Sequence, residues 1–383
     1  MKDNILKFKN CYGCGVCVIA CPKNIINLEL NKDGFYSPSI QNPADCIECG
    51  ICLDICAFNH KEIANSDIKT NLKAYGCWSK EASIRANSTT GGMGYEIARR
   101  AVLDGHKACV VEYDIENQRA NHYVAETVEA LTKACGSKYI PSWTEPGYKS
   151  ITLKEKNIVF GLPCQIDSFR RLIRKFRVED NFHLVDLLCY GTPSLLLWQN
   201  YISRLVKETG VIEKVNFRSK VFGWHNSACV EVKGIKSNVL QCSKECDFYK
   251  LFFSDTCLNK CCHGKCKYKL LSSSADIRIG DFWGKKYKDN DSGVNVLISM
   301  TPNGDHIVES LLDRCVFEPV TLEDAMDKQM AFNAPSTPFR SFVLWGFRHH
   351  ISLKLLSIIV RYGSIMIHPK ETISIIHSKI RHL

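Results

Sequence analysis

CYGCGVCVIACP, residues 11–22, and CIECGICLDICA, residues 46–57, decide how this chain is read. Each carries the spacing C-x2-C-x2-C-x3-C, through Cys11, Cys14, Cys17 and Cys21 and then Cys46, Cys49, Cys52 and Cys56. In the bacterial 4Fe-4S run of this spacing, three thiolates hold corners of one cube and the fourth crosses to the other. Cluster one is therefore assigned to Cys11, Cys14, Cys17 and Cys56, and cluster two to Cys46, Cys49, Cys52 and Cys21. Structural zinc sites pair two C-x2-C units instead, so zinc and disulfides are the weaker readings. Pro22 follows the first run, whereas Ala57 stands at the matching place in the second. Proline shapes the turn there and binds no metal.

The chain has 383 residues, of which 45% are hydrophobic, enough for two or three domains with substantial cores. Lys2, Asp3, Lys7 and Lys9 interrupt any apolar leader, and no apolar run is long enough to span a bilayer. Twenty-one cysteines in such a chain point to a reducing cytoplasm and metal ligation, not to a disulfide scaffold. The formal charge of +10 is offset by ligation. Eight thiolates and two oxidised cubes bring it to roughly +6, and a third cluster to about +4. No nucleic-acid motif accompanies it. Some of the excess lies late, in Arg340, Arg348, Lys354, Arg361, Lys370, Lys379 and Arg381.

The polar stretch 59–73 reads as a linker. Beyond it, 108–113, 157–161 and 183–188 read as buried strands. Residues 95–103, 124–134, 165–175 and 195–209 read as helices. This alternation implies an α/β domain with a mainly parallel sheet. Thr192 and Pro193 read as the cap and first position of the last of these helices. Residues 215–217, 229–232, 277–282 and 294–299 add strands. The helical tail either packs on the core or lies on a membrane surface through Leu355, Ile358, Ile359 and Ile365.

Two strand-to-helix loops each carry a cysteine, Cys164 in GLPCQ and Cys189 in LCYG. Ligands in open α/β sheets collect at such loops, so both thiols should face one crevice. Two of Cys257, Cys261, Cys262 and Cys266 would complete a third four-cysteine site. Residues 88–94, STTGGMG, form a small-residue helix start able to hold a pyrophosphate, though without the G-x-G-x-x-G fingerprint of a Rossmann site. FRSK (217–220) with Gly223-Trp224, and GDFWG (280–284), add cations and aromatic rings suited to a flat anionic cofactor.

The ordered series STTGG, GLPCQI, LLCYGTPS, FRSK, CKYK, ADIRIGDFWG and GVNV resembles the coenzyme F-420 hydrogenase/dehydrogenase beta-subunit family, here with a dicluster ferredoxin module in front. The resemblance spans residues 74 to about 300. It implies FAD and a third 4Fe-4S cluster in the main domain. Carried over by position, Ser88, Thr90, Gly91 and Gly92 would contact flavin phosphates. Arg218, Lys220, Asp281 and Trp283 would line the flavin or cluster pocket, and Cys164, Cys189, Cys262 and Cys266 would hold the cluster. Cys262 and Cys266 stand one residue farther apart than the usual C-x2-C, and Cys261 is adjacent, so the choice between Cys261 and Cys262 stays open.

The expected architecture is an α+β ferredoxin-like dicluster domain (1–62) followed by an α/β flavin-binding domain with a mixed, mainly parallel sheet (74–340). A basic helical segment (341–383) completes it. The leading functional reading is a cytoplasmic iron–sulfur flavoprotein oxidoreductase. It would pass electrons from a ferredoxin-like donor to FAD and on to a small-molecule acceptor, such as a sugar or polysaccharide precursor. The alternative is an electron-transfer beta subunit of a larger hydrogenase or dehydrogenase, joined to a redox partner subunit and reducing a deazaflavin. A zinc-bound interaction module without redox work ranks third. His225, His263, Tyr190 and Asp281 are potential proton sources, none of them singled out.

Overall fold

The computed structural model describes residues 3–64, 71–264, 266–329 and 331–367. The first cysteine run winds through a short helix α1 (Val16–Ala20), and the second through α2 (Ile51–Asp54). Each helix is entered from a glycine in the left-handed region, Gly15 at φ 76° and Gly50 at φ 73°. A side chain resists that backbone, and the reversal turns the third cysteine of each run back toward the first two. Strands β1 (Ile26–Leu30) and β2 (Tyr36–Ile40) form the antiparallel hairpin between the runs.

The main domain follows with β3 (Lys73–Ser79), α3 (Ala82–Asn87), α4 (Met93–Leu103), β4 (Lys107–Asp114) and β5 (Arg119–Ala125). Next come β6 (Ser142–Trp143), α5 (Glu145–Lys149), β7 (Asn157–Gly161), α6 (Pro163–Phe176), β8 (Phe182–Leu187) and α7 (Leu195–Thr209). A small antiparallel sheet holds β9 (Ile212–Asn216), β10 (Cys229–Gly234) and β11 (Asn238–Cys242), followed by α8 (Asp247–Phe252). The chain then runs through β12 (Ile277–Asp281), β13 (Asn295–Ser299), α9 (Pro302–Glu309), β14 (Cys315–Val320), α10 (Leu322–Met326), α11 (Arg340–Arg348) and α12 (Leu353–Ile367).

Nine strands form the central sheet in the order β14-β3-β13-β12-β8-β7-β4-β5-β6. The run β12-β8-β7-β4 is parallel, and the pairs outward from it are antiparallel apart from β5 with β6. The sheet is thus evenly mixed, not mainly parallel. Two connections that fold a strand back on its predecessor cause this. A turn at 114–118, closed by Asn117 N–H on the Asp114 carboxylate and by Gln118 at φ 51°, folds β5 straight back along β4. Residues 119–125 are therefore strand where the reading of 124–134 as a helix began, and only a 3-10 turn over Glu129–Ala134 remains of that helix. Likewise, β13 folds back on β12.

Alternate residues of the buried strands serve the two faces of the sheet. Ile158, Phe160 and Val185 pack with Met93, Ile97 and Leu311 on one face. Val159, Phe182 and Leu184 face Ile166, Phe169 and Ile173 of α6 on the other. The dicluster module joins this second core through Val16, Val18, Leu28, Leu53 and Ile55. A third core gathers α7, α8, α11 and α12 around Trp198, so the C-terminal helices pack inward through Val343, Phe347, Leu356 and Val360. Leu355 and Ile358 face outward, Ile359 is half-buried, and the Ile365 side chain and residues 368–383 lie outside the described residues. Helix α7 is capped by Ser194, whose hydroxyl takes the Leu196 N–H, rather than by Thr192. No helix among the described residues is long and apolar enough to cross a membrane.

Candidate functional site

The crossed cysteine pattern is present in space. One cavity is lined by Cys11, Cys14, Cys17 and Cys56, with Ile5, Tyr12, Leu28, Ile55 and Phe58 around them. A second, of about 380 Å³ including its open mouth, is lined by Cys21, Cys46, Cys49 and Cys52. The first set lies deeper: Cys17 and Cys56 are buried, whereas Cys49 in the second is exposed. Burial pushes the Cys11 thiol up to about 12 and Cys56 to about 11, with neighbouring thiols adding to the effect. Thiols so placed ionise only when a cation replaces their protons. The donor set fits a cluster held by four thiolates.

A third set forms where the sheet's parallel strands end. Cys164 occupies the second position of α6, after Leu162 and Pro163, in a first turn fixed by the Gln165 side chain accepting Leu162 N–H at 2.7 Å. Cys189, two residues past β8, together with Cys262 and Cys266, are among the charges that act on Cys164. Cys262 and Cys266 act likewise on Cys189. Cys262 Sγ accepts the Thr192 N–H at 3.5 Å, and Lys269 donates to the Cys189 and Tyr190 carbonyls while its charge favours the Cys189 and Cys262 thiolates. Cys261 turns the other way, donating its S–H to the Cys11 carbonyl at 3.4 Å. Cys257 is buried with its thiol on the Leu251 carbonyl. The two neighbours point apart, Cys262 toward Cys189 and Cys266 and Cys261 toward the Cys11 carbonyl, although Cys261 still feels the charges of Cys262 and Cys266.

What brings the distant cysteines together is Asp167, three residues after Cys164. Its fully buried carboxylate takes Ala64 N–H at 2.7 Å, Ser274 Oγ at 2.8 Å and Tyr268 O–H at 2.6 Å, and it pairs with Lys267 at 3.2 Å. Lys267 in turn donates to the carbonyls of Ala57, His60 and Glu62, binding the dicluster module to the segment that carries Cys266. Removing one member of such a buried charged network costs about 3–5 kcal/mol, because the others stay buried without partners. Asp167→Ala should therefore lower the unfolding midpoint markedly and release iron on heating before the wild type does. Thermal scans with iron release followed by absorbance test this; an unchanged midpoint would show the network to be dispensable.

The residues expected at a flavin also converge. Arg218 is buried and pairs with Asp281 at 2.6 Å, donates to Tyr139 Oη at 2.9 Å and to Ser227 Oγ, and lies over the Trp283 ring. Trp283 stacks on Trp224, with ring centres 5.4 Å apart. Lys220 donates to the carbonyls of Arg85, Thr90 and Ser292 at 2.8–3.0 Å, pinning the 88–92 loop. Gly91 sits so close to the Cys77 carbonyl and Asn295 that a Cβ there would meet them at 2.6 and 2.8 Å, and Asn295 Oδ1 takes the Met93 N–H. Ser88 lies beside Gly92, the left-handed entry to α4. Leu188, immediately before Cys189, bonds to Ile279 of β12, so the third cysteine set and Asp281 leave adjacent parallel strands at the same end.

Two features of this cluster of side chains fit an anion. The buried Thr90 hydroxyl has no hydrogen-bond partner. Lys220 and Arg85, which flank it, bond to carbonyls and to Asn290 rather than to carboxylates. Burial, then the Arg85 charge, lowers Lys220 to about 8. Arg85 and Tyr139 carry no motif, which is why sequence reasoning missed them. Of the suggested proton sources, Asp281 is held by Arg218, Tyr190 donates to Asp255 at 2.5 Å, His263 faces the Pro335 carbonyl and His225 the Tyr287 carbonyl. Beside Ser227 a disulfide joins Cys229 to Cys242 across β10 and β11, so metal ligation does not account for every cysteine.

Residues 154–325 match the family model for the C-terminal part of the coenzyme F420 hydrogenase/dehydrogenase beta subunit, and residues 10–60 match the 4Fe-4S dicluster domain. The chain thus carries a C-terminal domain of this beta-subunit family behind a 4Fe-4S dicluster domain. The N-terminal domain is of the kind that holds two 4Fe-4S clusters. An uncharacterized protein of Methanocaldococcus jannaschii, MJ1349, is 28% identical over 208 residues, 45% of this chain and 55% of the relative. The chain thus spans about half the length of that curated relative. A chain in a structure of the F420-reducing [NiFe] hydrogenase complex from Methanosarcina barkeri is similar with 16% identity, a TM-score of 0.48 and coverage of 78% of this chain and 94% of that one.

Proposed function

We propose that this protein is the electron-relay subunit of a cytoplasmic oxidoreductase that exchanges electrons between a one-electron donor and a deazaflavin. The eight cysteines of the N-terminal runs hold two 4Fe-4S clusters, and Cys164, Cys189, Cys262 and Cys266 hold a third. FAD lies between the 88–92 loop and the Arg218–Asp281–Trp283 group, with its phosphates toward Thr90, Lys220 and Arg85. Bound there, a flavin supplies the conversion between single electrons and a hydride.

The observation that carries this reading is the order of the cysteine sets. The second set is the most exposed, the first is buried against α6, and Cys14 of the first set is among the charges acting on Cys164 of the third. The third set and Asp281 then share one end of the sheet. This makes a succession of neighbouring sites from the exposed second set to the Arg218–Asp281 group, with an outer face where a donor or partner subunit would dock. The beta-subunit family description favours deazaflavin over a sugar precursor as acceptor. Arg218, fixed by Asp281, Tyr139 and Ser227, positions the pocket's aromatic wall, and Trp224 against Trp283 excludes water from it.

Bleaching of a deazaflavin's absorbance by the reduced, oxygen-free protein is the direct test. Turnover that needs added FAD and disappears in Cys49→Ala supports the relay. A reduced, FAD-loaded protein that leaves deazaflavin untouched would overturn the acceptor, and zinc without iron would overturn the relay itself.

A further inference from the structure

Tyr148 is fully buried in α5, and its hydroxyl has no hydrogen-bond partner. An orphaned phenol in an apolar core is costly, which normally selects phenylalanine. Three thiols act on the hydroxyl, Cys109 first, then Cys14 and then Cys164. The two that belong to cysteine sets lie on opposite sides of the junction between the dicluster module and α6.

Three contacts fix that junction. At the start of α5, Thr144 Oγ1 donates to the Cys14 carbonyl at 3.1 Å, and Tyr148 N–H bonds the Thr144 carbonyl, so Tyr148 stands one turn along on the same face. The Cys14 thiol points to Ser168 Oγ at 3.4 Å, one turn beyond Cys164 on α6. The Tyr148 ring meets Phe169, the next residue of α6, with centres 5.4 Å apart, and His122 at 5.3 Å. Cys14, Cys164 and Tyr148 therefore share one apolar seam. Both nitrogens of His122 are themselves without partners, and its ring is buried.

We infer that Tyr148 is a positioning residue for electron transfer: its O–H donates to the Cys14 sulfur once that cysteine is a thiolate ligand. This rests on the cluster reading above. A hydrogen bond to a ligating sulfur stabilises the more negative, reduced state and so raises the reduction potential. Tyr148 would hold cluster one high enough to receive an electron from the outer site and stand next to the third.

The test is an EPR-monitored redox titration of the full, oxygen-free protein, wild type against Tyr148→Phe. The ratio of reduced to oxidised cluster one at fixed potential should fall about tenfold, equivalent to about 59 mV for one electron. Replacing Tyr148 alone by 3-fluorotyrosine, which keeps the hydroxyl and strengthens it as a donor, should move the ratio the opposite way and keeps the test open if the phenylalanine variant loads poorly. Unchanged potentials in either fully loaded variant would overturn the inference. An iron-free wild type would instead defeat the cluster reading, so the two failures are distinguishable.

Discussion

Protein purified without oxygen should contain about twelve iron atoms and about twelve acid-labile sulfides per chain, three cubes' worth. Cys262→Ala should reduce both to about eight, whereas Cys261→Ala should leave them near twelve. The contrast follows from the opposite directions of the two side chains: Cys262 takes the Thr192 N–H among the third set, while Cys261 reaches back to the Cys11 carbonyl. Cys14→Ala should remove cluster one's iron and expose the seam under α6, since Cys14 is anchored there by Ser168 and Thr144. Iron and sulfide assays with EPR spin counting check all three. Equal loss in the Cys261 and Cys262 variants would mean that the two thiols exchange places around the third cluster.

The two N-terminal sites were legible because their ligands sit within a few residues of one another, so chain geometry alone brings them close. The crossing of Cys21 and Cys56 came instead from the known pattern of such runs, since each joins cysteines far from it in sequence, and both cavities contain it. Cys164 and Cys189 could be placed on neighbouring loops because β7 and β8 are largely apolar strands joined by one helix, an arrangement that sets them side by side and parallel. Cys261 and Cys262 could not be separated, because adjacent residues differ only in the direction of a loop set from outside, by Asn259 on Cys11 and by Asp167 on the segment beyond.

The errors have the same origin. The 119–125 strand depends on a five-residue turn whose polar residues look like any loop, and its pairing with β4 turned an expected parallel sheet into an evenly mixed one. The Cys229–Cys242 bridge depends on strand register, which pairs those residues directly across β10 and β11. Among so many cysteines, that pairing carries no local signal. The proposed cofactor pocket falls between these cases. Its glycines, Arg218, Trp283 and the GVNV stretch with Asn295 were visible as motifs, but Arg85 and Tyr139 enter through tertiary contacts alone.

FAD should bind the wild type far better than it binds Lys220→Met or Arg85→Leu. Each variant should weaken binding roughly 10- to 100-fold, the range set by a charged hydrogen bond of about 1.5–3 kcal/mol. The two cations surround the orphaned Thr90 hydroxyl and are bonded to carbonyls, so a phosphate placed there would meet charge that the protein has not already neutralised. The pH dependence follows from Lys220. Burial lowers it from 10.5 to about 8, so without FAD the buried cation is a cost below pH 8, and this contribution to stability improves as pH rises from there toward 10.5. Binding has the opposite slope: affinity for FAD should hold below about pH 8 and decline above it as the amine loses its proton, a decline absent from Lys220→Met. Flavin fluorescence titrations across that range, with Lys250→Met as a distant surface control, measure both effects. Equal affinity in wild type and both variants would place the flavin phosphates away from the 88–92 loop and leave Arg218 and Trp283 without the anchor proposed for them.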